Sequence, residues 1–347
     1  MTKRIGIKDR FIGGGAEITI QSMTNTRTED VDATVAQILR LERAGCDIVR
    51  ASVNNADAAD AIPRILSRIS IPLVADIHFD YKLAISSIRN GVDKVRINPS
   101  NIGSESAVKE VVSAAKDAGI PIRVGVNGGS LEKASLARYG YSAEALADSA
   151  LRNVAILEKF GFDDIVISAK CSDVKMNTDA YRILSEKTEY PLHVGVTEAG
   201  GGDLALAKSY AGIGSLLLGG IGDTIRVSLT GDPIEEVYAA DNLLKAVGIR
   251  KEFVNVISCP TCARTEIPVA AIAERIRQAT ADVKKRLTVA VMGCVVNGVG
   301  EGAHADVGVA GGREKSAIMR KGKIVKTVPN DEILEALLEL IEEVDDD

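Results

Sequence analysis

The hydrophobic pattern repeats one unit along most of the chain. From about residue 18 to residue 247, short β-branched runs are followed by a turn and then by a longer stretch of helical periodicity. The runs fall at 18–23, 47–53, 72–78, 94–99, 121–127, 164–170, 191–197 and 223–229. Helical spacing fills the stretches between them, for example 30–44, 104–118, 141–160 and 233–247. Glycine stop signals end these helices at Gly45, Gly91, Gly119, Gly161 and Gly248. Eight such alternations predict a (β/α)8 TIM-type barrel over residues 1–248 rather than a doubly wound sheet. One boundary stays loose, because Leu216-Leu217-Leu218-Gly219-Gly220 also reads as the eighth strand.

Beyond Gly248 the rhythm changes. Strands are predicted at 252–257, 287–292, 306–310 and 317–328, the last turning at Lys321-Gly322-Lys323, with helices at 268–279 and 330–343. This is a small α+β domain over residues 249–347.

Side chains alternate along a strand, so one parity in each barrel strand faces one side. That parity collects Arg50 and Ser52, Asp76 and His78, Lys94, Arg96 and Asn98, Arg123 and Asn127. It continues through Ser168 and Lys170, His193 and Thr197, and Thr224, Arg226 and Ser228. Barrel interiors are normally lined by branched apolar residues, with active sites at the C-terminal strand ends. Uncompensated buried charge costs several kcal/mol, and Asp76 and Glu198 are too few to neutralise the arginines and lysines. The set therefore predicts an anion site. Phosphate is the natural partner, since guanidinium forks grip its oxygens in pairs. Gly200-Gly201-Gly202 reads equally as a phosphate-binding helix start and as a flexible loop.

Charge and composition narrow the partners. The net charge of −6 over 347 residues gives no basic signal for nucleic acid, and no apolar run has signal-peptide or membrane-span length. The expectation is a soluble cytoplasmic protein whose five cysteines are reduced or metal-bound. Three of them form a pattern. Cys259 and Cys262 make a C-x-x-C turn, Cys294 follows the next predicted strand, and a glycine-rich turn ends at Glu301. Thiolates gathered this way outside the secretory route bind a soft metal centre. A structural zinc site would want four protein ligands from cysteine and histidine. Three thiolates plus a displaceable carboxylate would suit an iron–sulfur cubane with one iron open to substrate. Cys46 and Cys171 read as non-ligands. Arg264 either pairs with cluster or substrate charge or caps a loop, and we count it among the substrate contacts together with Asp76 and Asn98.

The whole chain resembles the 4-hydroxy-3-methylbut-2-enyl diphosphate synthase family, iron–sulfur enzymes of the non-mevalonate isoprenoid pathway, in its short bacterial form. The resemblance lies in Gln21-Ser22-Met23-Thr24-Asn25-Thr26, Ala75-Asp76-Ile77-His78-Phe79, Arg96-Ile97-Asn98-Pro99 and Arg123-Val124-Gly125-Val126-Asn127. It continues in 195–200, 222–229, 258–264 and 292–301. The resemblance implies a [4Fe-4S] cluster on Cys259, Cys262, Cys294 and Glu301. It implies that Arg50, Arg96, Arg123, Arg226 and Lys170 bind a cyclic diphosphate, helped by His78, Asn127, Thr197 and Ser228, with Glu198 as acid/base group. It also implies reduced flavodoxin or ferredoxin as electron donor, and a homodimer in which one subunit's cluster domain closes over the other's barrel. Departures are small: Ala263 replaces a usual glycine and Val299 a frequent proline. The rival reading, from the residues alone, is a phosphate-ester-binding barrel with a structural zinc module.

Overall fold

A computed structural model of the chain describes residues 1–344, without the side chains of Asn297, Val299 and Glu301. The chain divides into two compact units, the first ending at Val247.

The first unit opens with an antiparallel hairpin of β1 (Ile5–Ile7) and β2 (Arg10–Ile12). Eight parallel strands follow: β3 (Thr19–Met23), β4 (Ile48–Ser52), β5 (Leu73–Asp76), β6 (Lys94–Ile97), β7 (Ile122–Asn127), β8 (Ile165–Lys170), β9 (His193–Val194) and β10 (Thr224–Ile225). They pair in the order β8-β7-β6-β5-β4-β3-β10-β9. A parallel bridge between Ile167 and Leu192 joins the two ends into a ring, so the predicted barrel is present.

Its strands form because both faces find cover. Outward residues such as Val49, Ala51, Val95, Ile97, Val124 and Val126 are buried in the layer beneath the helices. Asp30, Asn55, Ser104 and Ser142 cap helices by accepting from the N–H three residues on, typically worth about 1 kcal/mol each. Inside, the N-terminal end is filled by Ile5, Ile7 and Ile12 of the hairpin against Ile48, Val74 and Val166. The sequence reading put no element before residue 18, because three-residue strands are too short to carry a period. The run at 216–220 is not strand eight: a helix, Gly202–Leu218, passes through all three leucines. Short apolar runs do not distinguish the two periods.

The second unit has a five-stranded sheet in sequence order, from β11 (Val254–Ser258) and β12 (Leu287–Met292) through β13 (Val307–Ala310) to β14 (Lys315–Arg320) and β15 (Lys323–Pro329). The first three are parallel and the last two antiparallel. Helices Val269–Ala279 and Ile333–Glu343 bury Ile276 and Leu337 in a core with Val289, Val309 and Ile318. The glycine-rich stretch expected as a turn is instead a short helix, Val295–Gly300. Because β11 and β12 are parallel neighbours with Ser258 opposite Val291, the residues that follow both strands emerge at the same end of the sheet.

Candidate functional site

One carboxylate organises the upper barrel. Asp76, at the end of β5, is almost wholly buried between cations. Arg96 Nη1 donates to its Oδ1 at 3.1 Å, Arg50 Nε lies 3.6 Å from its Oδ2, and His78 Nε2 lies 3.9 Å from the same oxygen. Burial opposes ionisation of Asp76, but Arg50, Arg96, His78 and Arg123 together outweigh it and hold the carboxyl well below the usual range. Arg96 also donates through Nη2 to the Gly125 carbonyl at 3.1 Å. Arg123, fully buried, donates to Gln21 Oε1 at 3.3 Å.

Arg226 has a partner that the sequence reading missed. Glu236, buried on the helix Pro233–Ala246, accepts from Nε and Nη2 of Arg226 at 3.2 Å each. The same carboxylate accepts from Ser22 Oγ and from the Leu229 N–H. Helical periodicity assigns a charged residue to the solvent face, so no sequence signal short of the strand-eight arginine itself pointed to Glu236.

The cations outnumber these two carboxylates. Burial, reinforced by Arg123, Arg226, Arg50 and Arg96, pushes the Lys170 ammonium well below its usual range. Burial lowers the Arg50 guanidinium to about 10, with Asp76 opposing. Such a group of buried cations favours a polyvalent anion, which would remove both the desolvation cost and the mutual repulsion.

Two glycines make the crowding possible. A methyl group at Gly125 would sit 2.1 Å from Arg96 Nε, and one at Gly195 would sit 2.6 Å from Lys170 Nζ. Both belong to the inward parity and were not read as site positions. Gly125→Ala should therefore displace Arg96 from Asp76. The expected result is an inorganic diphosphate affinity weaker by about 10- to 100-fold in calorimetric titration, on the scale of one hydrogen bond to a charged group. Unchanged affinity would show that Arg96 has no part in anion binding.

The other expected residues lie around this centre. Asn98 is buried and accepts from the Ser100 N–H at 3.2 Å, which shapes its loop. Asn127, Thr197 and Ser228 are half-buried at or just beyond the C-terminal ends of β7, β9 and β10. Glu198 is exposed and holds a left-handed backbone at φ 55°, an uncommon conformation for a non-glycine residue. Gly201 caps the helix Gly202–Leu218 that follows. A cavity of about 730 Å³ lies away from this mouth. It is lined by Thr2, Ile18, Leu192 and Asp223 near the N-terminal strand ends. Chemistry rather than volume marks the site.

In the second unit, Cys259 directly follows β11, and Cys294 lies two residues past β12. The Gly293 N–H donates to Cys259 Sγ at 3.2 Å. Cys294 is buried, Cys259 half-buried and Cys262 exposed. A hydrogen bond from the Arg264 backbone, with further help from its side chain, lowers the Cys262 thiol toward thiolate. Arg264 itself is exposed. The Glu301 side chain lies outside the described residues. Among those described, no three Cys, His, Asp or Glu side chains converge on a single ion. A cubane spreads its thiolates across separate irons, and N–H donation to sulfur is one of the ways a protein tunes it. Thiols in the segments that follow two neighbouring parallel strands, one of them accepting an N–H, are a donor set that fits an iron–sulfur cluster. Cys46 and Cys171 are inert by contrast: burial pushes their thiols up to about 12 and about 11.

Comparison with known proteins agrees with both halves. The GcpE TIM-barrel domain family matches residues 2–241, and the GcpE protein C-terminal domain family matches 255–343. A relative from Caldanaerobacter subterraneus subsp. tengcongensis, named 4-hydroxy-3-methylbut-2-en-1-yl diphosphate synthase (flavodoxin), is 56% identical over 99% of this chain and 97% of its own. One of the same name from Clostridium perfringens is 53% identical over 99% of each. Among solved structures, Yersinia pestis dihydropteroate synthase aligns with a TM-score of 0.51 at 14% identity, covering 71% of this chain and 99% of its own. That likeness is one of fold alone. With both domains matched and more than half of the residues identical to a full-length relative, the chain belongs to the GcpE family of 4-hydroxy-3-methylbut-2-en-1-yl diphosphate synthases.

Proposed function

We propose that the chain is an oxidoreductase of non-mevalonate isoprenoid biosynthesis. It opens the ring of 2-C-methyl-D-erythritol 2,4-cyclodiphosphate by two-electron reduction and removes a hydroxyl as water, giving (E)-4-hydroxy-3-methylbut-2-enyl diphosphate. The observation that carries this reading is identity along the full length with relatives named for that product.

The barrel's own residues supply binding and charge control. Arg50, Arg96, Arg123, Arg226 and Lys170 hold the diphosphate, and Asp76 and Glu236 keep three of those arginines aimed before it arrives. As the C–O bond to phosphate breaks, negative charge grows on the leaving oxygen, and the preset guanidinium groups stabilise it. His78, Asn98, Asn127, Thr197 and Ser228 orient the remainder of the ring. Glu198 delivers the proton that departs with the hydroxyl as water. Cys259, Cys262, Cys294 and Glu301 hold a [4Fe-4S] cluster, which when bound supplies electrons one at a time from flavodoxin or ferredoxin. Arg264 adds a positive charge beside Cys262. The anion site and the cysteines belong to different compact units, and the homodimer that the family resemblance implies, with one subunit's cluster domain closing over the other's barrel, would bring them together.

Anaerobically purified protein should be brown, hold about four irons per chain and convert the cyclic diphosphate when given reduced flavodoxin. Zinc at about one per chain, with no iron recovered on reconstitution, would overturn the proposal. Glu198→Gln should lower kcat about 100-fold or more, the usual scale of general-acid catalysis, while leaving KM close to the parent value. A variant with full turnover would remove Glu198 from the proton step.

A further inference from the structure

Below the arginine mouth, the barrel holds a second set of buried polar atoms, of which only that of Arg123 belongs to a side chain that the proposed reaction uses. Lys94 Nζ, Arg123 Nε, Gln21 Nε2, His193 Nε2 and Thr19 Oγ1 are buried and have no hydrogen-bond partner. These residues sit low in their strands. Thr19 and His193 both stand in register with Thr224, and Lys94 stands opposite Val74, which joins the apolar floor beneath. Lys94, Arg123 and His193 are 0%, 1% and 0% exposed. Other atoms of these side chains are engaged: Arg123 Nη1 donates to Gln21 Oε1 at 3.3 Å, and His193 Nδ1 lies 3.4 Å from Thr224 Oγ1.

The chemistry of the unpartnered atoms decides what would satisfy them. Lys94 Nζ, Arg123 Nε and Gln21 Nε2 are donors. A water molecule would accept from only some of them and would need acceptors for its own two protons. An anion accepts from every donor and has no proton to place. It also offsets charge where desolvation of an unpaired cation costs several kcal/mol. The nearby carboxylates are already engaged, Asp76 by Arg50 and Arg96 and Glu236 by Arg226. Burial, with Arg123 and Arg50 adding repulsion, already pushes Lys94 well below its usual range, so an anion there would restore its charge.

We propose that Lys94, Arg123, Gln21 and His193 bind a small inorganic anion of the size of chloride inside the barrel, beneath the substrate mouth. The site requires neither the cluster nor turnover, and it shares only Arg123 with the diphosphate site proposed above. The test is anomalous scattering from crystals of the full chain soaked in sodium bromide, alone and with inorganic diphosphate. The expected result is one bromide between Lys94, Arg123 and His193 that diphosphate does not displace. Lys94→Met should lose that peak, and the wild-type soaks test the site even if this variant fails to fold. Water without anomalous signal at that position overturns the proposal. So does bromide confined to the region of Arg50 and Arg226, or bromide that diphosphate displaces from beneath the mouth.

Discussion

Cys262→Ser is expected to yield a folded protein that has lost its visible absorption and more than about 100-fold of its turnover, since losing an outer-shell partner alone costs 10- to 100-fold in metalloproteins. Serine keeps the size of the side chain but offers a hard, weakly acidic oxygen where a soft thiolate is required. Cys262 is the informative position because its side chain is exposed, so the core around Val289, Val309 and Ile318 does not depend on it. Its peptide N–H is held by Thr265 Oγ1 at 3.1 Å, which keeps the loop in place whichever side chain it carries. Cys171→Ser is the matched control. That thiol is buried in the barrel unit and donates to the Asp173 carbonyl at 3.3 Å, so serine should leave absorption and iron content unchanged. Full iron content in Cys262→Ser, measured together with its spectrum, would exclude Cys262 as a ligand.

Asp76→Asn is expected to destabilise the barrel by about 3–5 kcal/mol, the scale of breaking a buried ion pair from one side. The amide keeps the shape, but Arg50 and Arg96 then face each other without a charge between them. The effect has a definite pH signature. The folded-state carboxyl of Asp76 lies well below its unfolded value, where burial is outweighed by Arg50, Arg96, His78 and Arg123. Its contribution is complete above the unfolded value of about 4 and is lost as pH falls through the lower folded value. Denaturant midpoints of wild type and variant should therefore differ by a constant amount between about pH 5 and 8 and converge only in stronger acid. Equal stability at neutral pH would mean that the arginines are not held by Asp76. The same variant should bind inorganic diphosphate differently from wild type, because the guanidinium groups lose their fixed aim.

Much of this site was legible in the chain because a strand has a period of two. Once eight strands were recognised, Arg50, Asp76, Arg96, Arg123, Lys170 and Arg226 fell on one parity, and the structure gathers them into one buried network. The cysteines were legible for a different reason: their spacing around two predicted strands implies a shared end of the sheet if those strands are parallel neighbours, and they are. What failed was also systematic. A three-residue strand carries no readable period, so the hairpin that floors the barrel was invisible. The three leucines at 216–218 satisfy either period, and the surrounding helix decided between them.

The sequence alone determined the alternation of the barrel's strands and helices, which strand residues face inward, and the candidate soft-ligand set of the second unit. Those follow from local periodicity and residue type. Only the tertiary structure decided the partners. Glu236 reaches Arg226 because its helix packs beside β3, Gln21 meets Arg123 because the ring closes, and Gly125 and Gly195 leave room where any Cβ would strike a cation. Pairing across a closed barrel depends on which strands become neighbours and on clearances below an atomic diameter, and no periodicity along the chain encodes either.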